Sequence, residues 1–150
     1  MPTFVENKLK EYDYTQQRIQ HAPHPAPPKK YGKAAQILDA ENKEKPLNAK
    51  AKKRIQKIIG SFLFYSRAVD NTILKALNSL ASQQSAPTPT TSKNTNQLLD
   101  YLATNPNTTV RFKASDMYLH VFSNASYMNE SWAQSTAGGY FILSNHPNKK

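Results

Sequence analysis

Hydrophobic positions in the middle of the chain repeat with the period of an α-helix. Between residues 49 and 69 the apolar side chains recur every three or four positions, and basic side chains hold much of the opposite side. The apolar face consists of Ile55, Ile58, Ile59, Phe62, Leu63, Ser66 and Val69. This spacing predicts an amphipathic helix over residues 49–69.

A second helix is predicted directly after the first. Asp70, Asn71 and Thr72 offer N-cap side chains, because short polar groups accept hydrogen bonds from the free N–H groups of a first helical turn. The apolar face of this helix would consist of Ile73, Leu74, Leu77, Leu80 and Ala81. Since few residues separate the two helices, we expect them to pack as a hairpin.

A third helix should follow a proline- and threonine-rich break at residues 86–91. Its apolar positions are Leu98, Leu99 and Leu102. It should end near Asn105, because Pro106 disfavours helical backbone in the residue before it. We therefore expect one core shared by three helices over residues 49–106.

The N-terminal third has a different pattern. Residues 1–20 are predicted to contain a helix from 3 to 20, with apolar positions at near-helical spacing. These are Phe4, Val5, Leu9, Tyr12 and Ile19. The proline-rich run at 21–30 interrupts helical backbone, and the polar stretch up to residue 48 has no apolar period. Residues 21–48 are therefore predicted to be an extended linker and loop.

After residue 106 the period changes from helical to alternating. Two short strands are predicted, over 110–112 and 117–122, joined near Ser115-Asp116. After a polar, irregular interval at 123–137, a third strand is predicted over 138–143, opened by two glycines. The expected fold class is α+β: a helical hairpin or three-helix segment, then an antiparallel sheet over 107–150 that looks cut off.

Composition adds a candidate partner. The chain has 20 Lys and Arg against 10 Asp and Glu, a formal net charge of +10, which favours a polyanion such as nucleic acid through counterion release. A solvated basic surface is the plainer alternative. The basic face of the first predicted helix supplies the nucleic-acid-binding candidates, which are Lys50, Lys52, Lys53, Arg54 and Lys57.

Several classes of protein and site are disfavoured. The absence of cysteine excludes disulfides, thiolate zinc sites and cysteine nucleophiles. No apolar run reaches the roughly 18 to 20 residues of a membrane span, and the N-terminus lacks the apolar stretch of a signal peptide. We expect an intracellular protein of the cytoplasm or nucleus with no membrane partner, no bound metal and no cofactor.

Several segments together resemble the copia-like retrotransposon polyproteins. The similarity spans roughly residues 50–144, and the order and spacing of its segments are more specific than any one of them. The segments are 53–85 (KRIQKIIGSFLFYSRAVDNTILKALNSLASQQS), 97–106 (QLLDYLATNP), 110–117 (VRFKASDM), 120–127 (HVFSNASY) and 135–140 (STAGGY). The start of the chain, from Met1 to Leu9, also looks like an internal stretch of such a polyprotein.

The resemblance implies a fold and an expected chemistry. It makes residues 49–106 the helical region that follows a reverse transcriptase palm, and residues 107–150 the start of an RNase H domain. The chain contains no Asp-Asp pair of the kind that holds the polymerase magnesium ions. In the family's Ser-Asp-Ala motif the Asp is the first RNase H metal ligand, and here Asn124 stands in its place. A neutral amide is a poor ligand for Mg²⁺, so we expect no catalytic residue.

Some of these residues have a plainer interpretation. Asn124 is alternatively a polar residue at a strand end in an unrelated fold, and Asp116 is interpreted as a turn residue rather than a replacement ligand. His120 is expected to be a packed or surface histidine, because no second ligand stands at metal-binding spacing. The aromatic residues Phe62, Phe64, Tyr65 and Tyr101 fall mostly on the core pattern, so packing is favoured over base stacking.

Three functions remain as hypotheses. The first is a catalytically incomplete polyprotein fragment that binds nucleic acid weakly and without sequence preference. The second is an RNase H half-site that becomes active only with a downstream chain. The third is a small basic helical interaction module.

Overall fold

The computed structural model describes residues 3–25, 44–108, 110–111, 113–130 and 134–146. They belong to two compact units. The helical unit takes the described residues up to Val110, and the sheet unit takes those from Arg111 onward. The presence of helices and an antiparallel sheet confirms the predicted α+β class.

The helical unit is built from α1 (Phe4–Glu11), α2 (Ala49–Ala68), α3 (Leu74–Gln83) and α4 (Pro89–Thr104), with a 3₁₀ turn at Asn71–Ile73 before α3. The predicted helix over 49–69 is confirmed almost residue for residue. Asn48 begins it, because its side chain accepts a hydrogen bond from the Ala51 N–H at 2.9 Å.

Asp70 has the capping role that the sequence predicts for it. Its Oδ1 accepts hydrogen bonds from the Thr72 N–H at 3.1 Å and the Thr72 hydroxyl at 2.6 Å, which begins the 3₁₀ turn. The helix over residues 74–83 continues from that turn and carries buried Ala76, Leu77 and Leu80. The chain thus reverses between α2 and α3 at a residue whose side chain satisfies the new turn.

The core of the helical unit takes buried side chains from every helix of that unit in the described part of the chain. Phe62, at the centre of α2, has no exposed surface, and Phe4 of α1 meets it edge-on with ring centroids 6.1 Å apart. Phe4 also stacks on Tyr65 at 5.0 Å. The fully buried aliphatic residues include Ile58, Ile73, Leu77, Leu98, Leu99 and Leu102. The three predicted helices therefore share one core, to which α1 adds Val5.

The predicted helix over 3–20 is wrong in its second half. α1 ends at Glu11, and Asp13 adopts left-handed backbone with φ of 49°, which ends the helix. Residues 14–20 lie along α4 in irregular backbone, where Asp100 Oδ1 accepts a hydrogen bond from the Gln17 N–H at 2.9 Å. Ile19, assigned to the apolar face, is 71% exposed.

The third helix begins earlier than predicted. α4 starts at Pro89, inside the stretch 86–91 that the sequence marks as a break. Pro89 fits the first turn, since the N–H that proline lacks would have no helical partner there. Thr88 and Thr91 form a reciprocal capping box, and Glu44 accepts hydrogen bonds from the N–H and hydroxyl of Thr90 at 3.0 and 2.6 Å. The predicted end near Asn105 is confirmed.

The sheet unit is one antiparallel hairpin of β1 (Tyr118–Glu130) and β2 (Gln134–Ser144). Tyr118 pairs with Ser144 and Ser126 with Thr136, and the register becomes irregular between Ser126 and Glu130. The rings of Phe122 and Tyr140, which are opposite each other, lie 6.4 Å apart. Both strands carry exposed apolar side chains, including Leu119, Val121, Phe141 and Leu143.

The strand predictions need correction. Val110 and Arg111 are not in a strand, and Phe112 lies outside the described residues, so no strand is found over 110–112 in the part that the structure describes. The interval 123–137, predicted irregular, instead supplies the second half of β1 and the first residues of β2. Small polar residues extend a strand when cross-strand pairing continues, and that pairing is not visible in a local pattern. Most of the predicted linker at 21–48, residues 26–43, falls outside the described residues.

Candidate nucleic-acid interface

The five basic candidates lie in the first three turns of α2. Lys50, Lys53, Arg54 and Lys57 are exposed, and Lys52 is half-buried. On a helix of 3.6 residues per turn, Lys50, Lys53 and Lys57 fall along one line, while Lys52 and Arg54 lie on its two flanks. The structure therefore divides the predicted set into a central row and two flanking residues.

Lys57 is held by α1. Its Nζ lies 2.6 Å from Glu11 Oε1 and 5.6 Å from the centroid of the Tyr12 ring. The ion pair is solvent-accessible, with the Lys57 side chain 59% exposed. Hydrogen bonds from Lys57 and then Lys8 lower the pKa of Glu11 from 4.5 to about 2. The Glu11 carboxylate thus offsets part of the charge that Lys57 would offer to a phosphate.

The flanking candidates make internal contacts. Lys52 donates a short hydrogen bond to the carbonyl oxygen of Ser85, just after α3. Arg54 donates a long one, 3.4 Å, to the carbonyl oxygen of Tyr12. In both cases a charged side chain satisfies a backbone carbonyl near the end of another helix, as basic groups near helix C-termini commonly do. These two residues stabilise the packing of the helices as well as adding charge.

Lys50 and Lys53 are the two interface candidates whose side chains make no polar contact with the described residues. Within the described ranges neither has a recorded ion pair or side-chain hydrogen bond, and both are exposed. Arg67, near the C-terminal end of α2, is exposed on the same side and also lacks a recorded ion pair there. These three side chains are available to a polyanion without first breaking an internal contact.

Phe64 is exposed, although the sequence interpretation favoured packing for it. The aromatic group of Phe62, Phe64 and Tyr65 was assigned mostly to packing, and Phe62 and Tyr65 are indeed buried. Phe64 is 59% exposed, on the outward side of α2. The helical period contains this information, because position 64 falls opposite the face marked by Ile55, Ile59 and Phe62.

Asn124 lies within β1 and not at a strand end, so the strand-end interpretation is not supported. It is exposed and pairs with Gly138 of β2. Among the described residues no three His, Asp or Glu side chains come together as a metal-binding group. The single neutral amide at 124 does not fit a magnesium site, because Mg²⁺ prefers charged oxygen ligands. Asp116 lies before β1, where its N–H donates to Asn145 Oδ1 at 3.0 Å.

His120 is a packed histidine, as expected. It is 9% exposed, and its Nε2 lies 2.6 Å from the Ser144 Oγ across the hairpin. A serine beside a histidine suggests a nucleophile and its base, but Ser144 also lies 3.2 Å from the carbonyl oxygen of His146. In the described residues no carboxylate is recorded that orients the imidazole, so the pair is best explained as a cross-strand contact.

Two general findings complete the description. Of the helices in the described part of the chain, none combines the length and the apolarity needed to cross a bilayer. Comparison of the chain with protein-family models, with curated proteins and with solved structures found no match.

Proposed function

We propose that this chain is a non-catalytic segment of a copia-like retrotransposon polyprotein, from the reverse transcriptase and RNase H region, that binds nucleic acid weakly and without sequence preference. The observation that carries the binding proposal is the exposed row of cations on α2. Lys50 and Lys53 make no ion pair or side-chain hydrogen bond with another described residue, and they lie on a helix face whose opposite side is buried. The net charge of +10 acts in the same direction.

The proposed parentage rests on the sequence resemblance over roughly residues 50–144. It is tested by the genomic flanks of the coding sequence. An upstream reading frame with the polymerase Asp-Asp pair, or a downstream remainder of an RNase H domain, would support it. Flanks that encode an unrelated protein would contradict it.

The proposed absence of catalysis is supported by Asn124, which stands where the family carries a metal ligand. Incubation of this chain with an RNA–DNA hybrid and Mg²⁺ should give no cleavage. The Asn124→Asp variant should also give none, because one restored carboxylate does not make a two-metal site. Cleavage by either protein, retained after repeated purification, would overturn this part of the proposal.

The binding proposal is tested by salt dependence. Affinity for an RNA–DNA hybrid should fall steeply between about 50 and 200 mM salt, because each phosphate contact releases a counterion. The double variant Lys50→Gln/Lys53→Gln should weaken binding and lower the slope of log affinity against log salt by about 1.8, close to two phosphate contacts. A slope unchanged from the wild-type protein would exclude α2 as the interface.

Two control variants separate position from charge. Lys10→Gln/Lys45→Gln removes two other exposed cations outside α2 and should leave most of the affinity and slope in place. Glu11→Gln removes the partner of Lys57 and should raise affinity by roughly twofold to fivefold, the effect expected of one exposed charge pair. An unchanged affinity in the Glu11→Gln variant would place Lys57 outside the interface.

A further inference from the structure

The outward side of α2 carries a continuous row of exposed residues, which we call the outer stripe. Its members recur at alternating spacings of three and four along the helix, so they share one face. The outer stripe consists of Lys50, Lys53, Lys57, Gly60, Phe64 and Arg67, all exposed. It is basic at both ends and has a single aromatic ring between them.

The ring of Phe64 has open space beside it. Gly60 lies one turn before Phe64 on the same face of α2, and it has no side chain that could cover the ring. A Cβ placed at Gly60 would meet no atom within 4 Å. In the described part of the chain no ring or cation contact is recorded for Phe64, although Phe62 and Tyr65 on either side of it are both in aromatic contacts. A flat ligand can therefore reach the ring without displacing another side chain.

We propose that the outer stripe binds single-stranded nucleic acid, with one unpaired base stacked on Phe64 and phosphates on Lys53 and Arg67. The inference rests on the proposed nucleic-acid binding and specifies its substrate. Aromatic side chains beside cations are the usual means of holding single strands, because every base has a face that can stack. A base inside a duplex is already stacked and does not reach Phe64.

The dimensions of the stripe fit several nucleotides. From Lys50 to Arg67 it extends about 25 Å at 1.5 Å per residue. A stacked strand rises about 3.4 Å per nucleotide, so this length corresponds to about seven nucleotides. That is within the range of roughly 4 to 16 nucleotides found in single-strand-binding modules. Because this length contains a single aromatic ring, we expect one base to be held strongly and the binding to have no sequence preference.

An anionic membrane is the other partner that a basic face with an aromatic ring can bind. Helices that lie on membranes bury a broad apolar face among the lipid head groups. In the outer stripe the single large apolar side chain is Phe64, and most of the apolar face of α2 is buried in the core. The charge and the isolated ring therefore favour the single strand.

The experiment measures binding of labelled single-stranded DNA and RNA of about ten nucleotides, and of a duplex of the same length, by fluorescence anisotropy. Phe64→Ala should weaken binding to both single strands by about tenfold and leave duplex affinity unchanged. Phe64→Trp should retain the affinity. An abasic strand with the same phosphates should bind the wild-type protein and Phe64→Ala equally. Melting curves confirm that each variant is folded.

Phe141→Ala is the matched control, because Phe141 is a similarly exposed phenylalanine, 64% against 59%, in the sheet unit. It should bind both single strands as the wild-type protein does. The stacking proposal would be overturned if Phe64→Ala and Phe141→Ala lost affinity for single strands equally, or if Phe64→Ala lost none. Either result would leave nucleic-acid binding in place. A wild-type protein that binds no nucleic acid would overturn both proposals. Phe64-dependent binding to anionic phospholipid vesicles, with oligonucleotide binding unaffected by Phe64→Ala, would assign the stripe to a membrane.

Discussion

The hydroxyl of Tyr14 donates a hydrogen bond to Asp100 Oδ1 across 86 residues of sequence, at 2.9 Å. The same oxygen accepts the Gln17 N–H at 2.9 Å, and Arg18 Nε lies 3.7 Å from Oδ2. Asp100 is 2% exposed, so these groups replace the water that its carboxylate would otherwise bind. Burial and Asp100 raise the pKa of Tyr14 well above its ordinary value, which keeps the donor proton in place.

Asp100→Ala should lower the free energy of unfolding by about 1–3 kcal/mol, because the donors of Tyr14 and Gln17 lose their charged acceptor. Urea denaturation followed by circular dichroism measures this. Asp116→Ala is the matched control, since Asp116 is exposed, and it should change stability by less than about 0.5 kcal/mol.

Tyr14→Phe tests the other end of the same contact and should cost about 1 kcal/mol. The Tyr14 hydroxyl also lies 3.0 Å from the Asn96 carbonyl oxygen, but its single proton is best used by the charged Asp100. The effects of Tyr14→Phe and Asp100→Ala should therefore be less than additive in the double variant. Strict additivity would show that the contact contributes nothing to stability.

Phe62 and Phe64 form a matched pair, two residues apart on α2 and on opposite sides of it. Phe62→Ala should cost about 3–5 kcal/mol, because it leaves a cavity against Phe4 and Tyr65. Phe64→Ala should change stability by no more than about 0.5 kcal/mol, because the side chain is mostly exposed. Thermal or urea unfolding of both variants checks this. Similar losses of stability in the two variants would show that α2 is rotated relative to the core.

Gly60 is a stabilisation site. It lies in the interior of α2, and an added Cβ would meet nothing within 4 Å. Gly60→Ala should raise the free energy of unfolding by about 0.5–1 kcal/mol, because alanine loses less backbone entropy on folding into a helix. Urea denaturation measures it, and Gly60→Pro, which breaks the helical hydrogen bonding, should be strongly destabilising. A destabilised alanine variant would contradict an open helix surface at this position.

Glu11 should make the fold less stable in acid. Its folded pKa of about 2 is below the ordinary 4.5, so its ion pairs stabilise the fold above pH 4.5 and are lost as the pH falls toward 2. Carboxyl ¹³C titration by NMR should place Glu11 near 2 at low salt. Lys57→Met removes the largest cause of the shift and should raise that midpoint toward 4.5. If the Glu11 titration midpoint were the same in Lys57→Met as in the wild-type protein, the Glu11–Lys57 ion pair would not form in solution.

The elements predicted well are those whose signals are local. α2 has a full apolar face and an Asn cap, and Asp70 lies where a second helix needs a capping side chain. The end of α4 follows from Pro106. Each of these features depends on residues within about one helical turn, so a sequence pattern contains it. The cations of the candidate interface belong to this group, because the same period that buries Phe62 exposes Lys50 and Lys53.

The elements predicted poorly depend on contacts between distant residues. Residues 14–20 have apolar positions at near-helical spacing. Tyr14 and Gln17 instead donate hydrogen bonds to Asp100, which holds this segment in irregular backbone along α4. The hairpin extends through Ser123 and Asn124 because Gly139 and Gly138 pair with them. Lys57 is partly neutralised by Glu11, 46 positions away along the chain by their residue numbers.

The sequence by itself determined the α+β class, the extent of α2, the two helix ends at Asp70 and Asn105, and the position of its basic face. Helical period and capping chemistry act over three or four residues, so no folded partner is needed to specify them. The tertiary structure alone decided where α1 stops, how β1 and β2 are in register and which cation Glu11 pairs with. Those outcomes depend on the relative free energies of alternative long-range contacts, and a local sequence pattern does not contain those free energies.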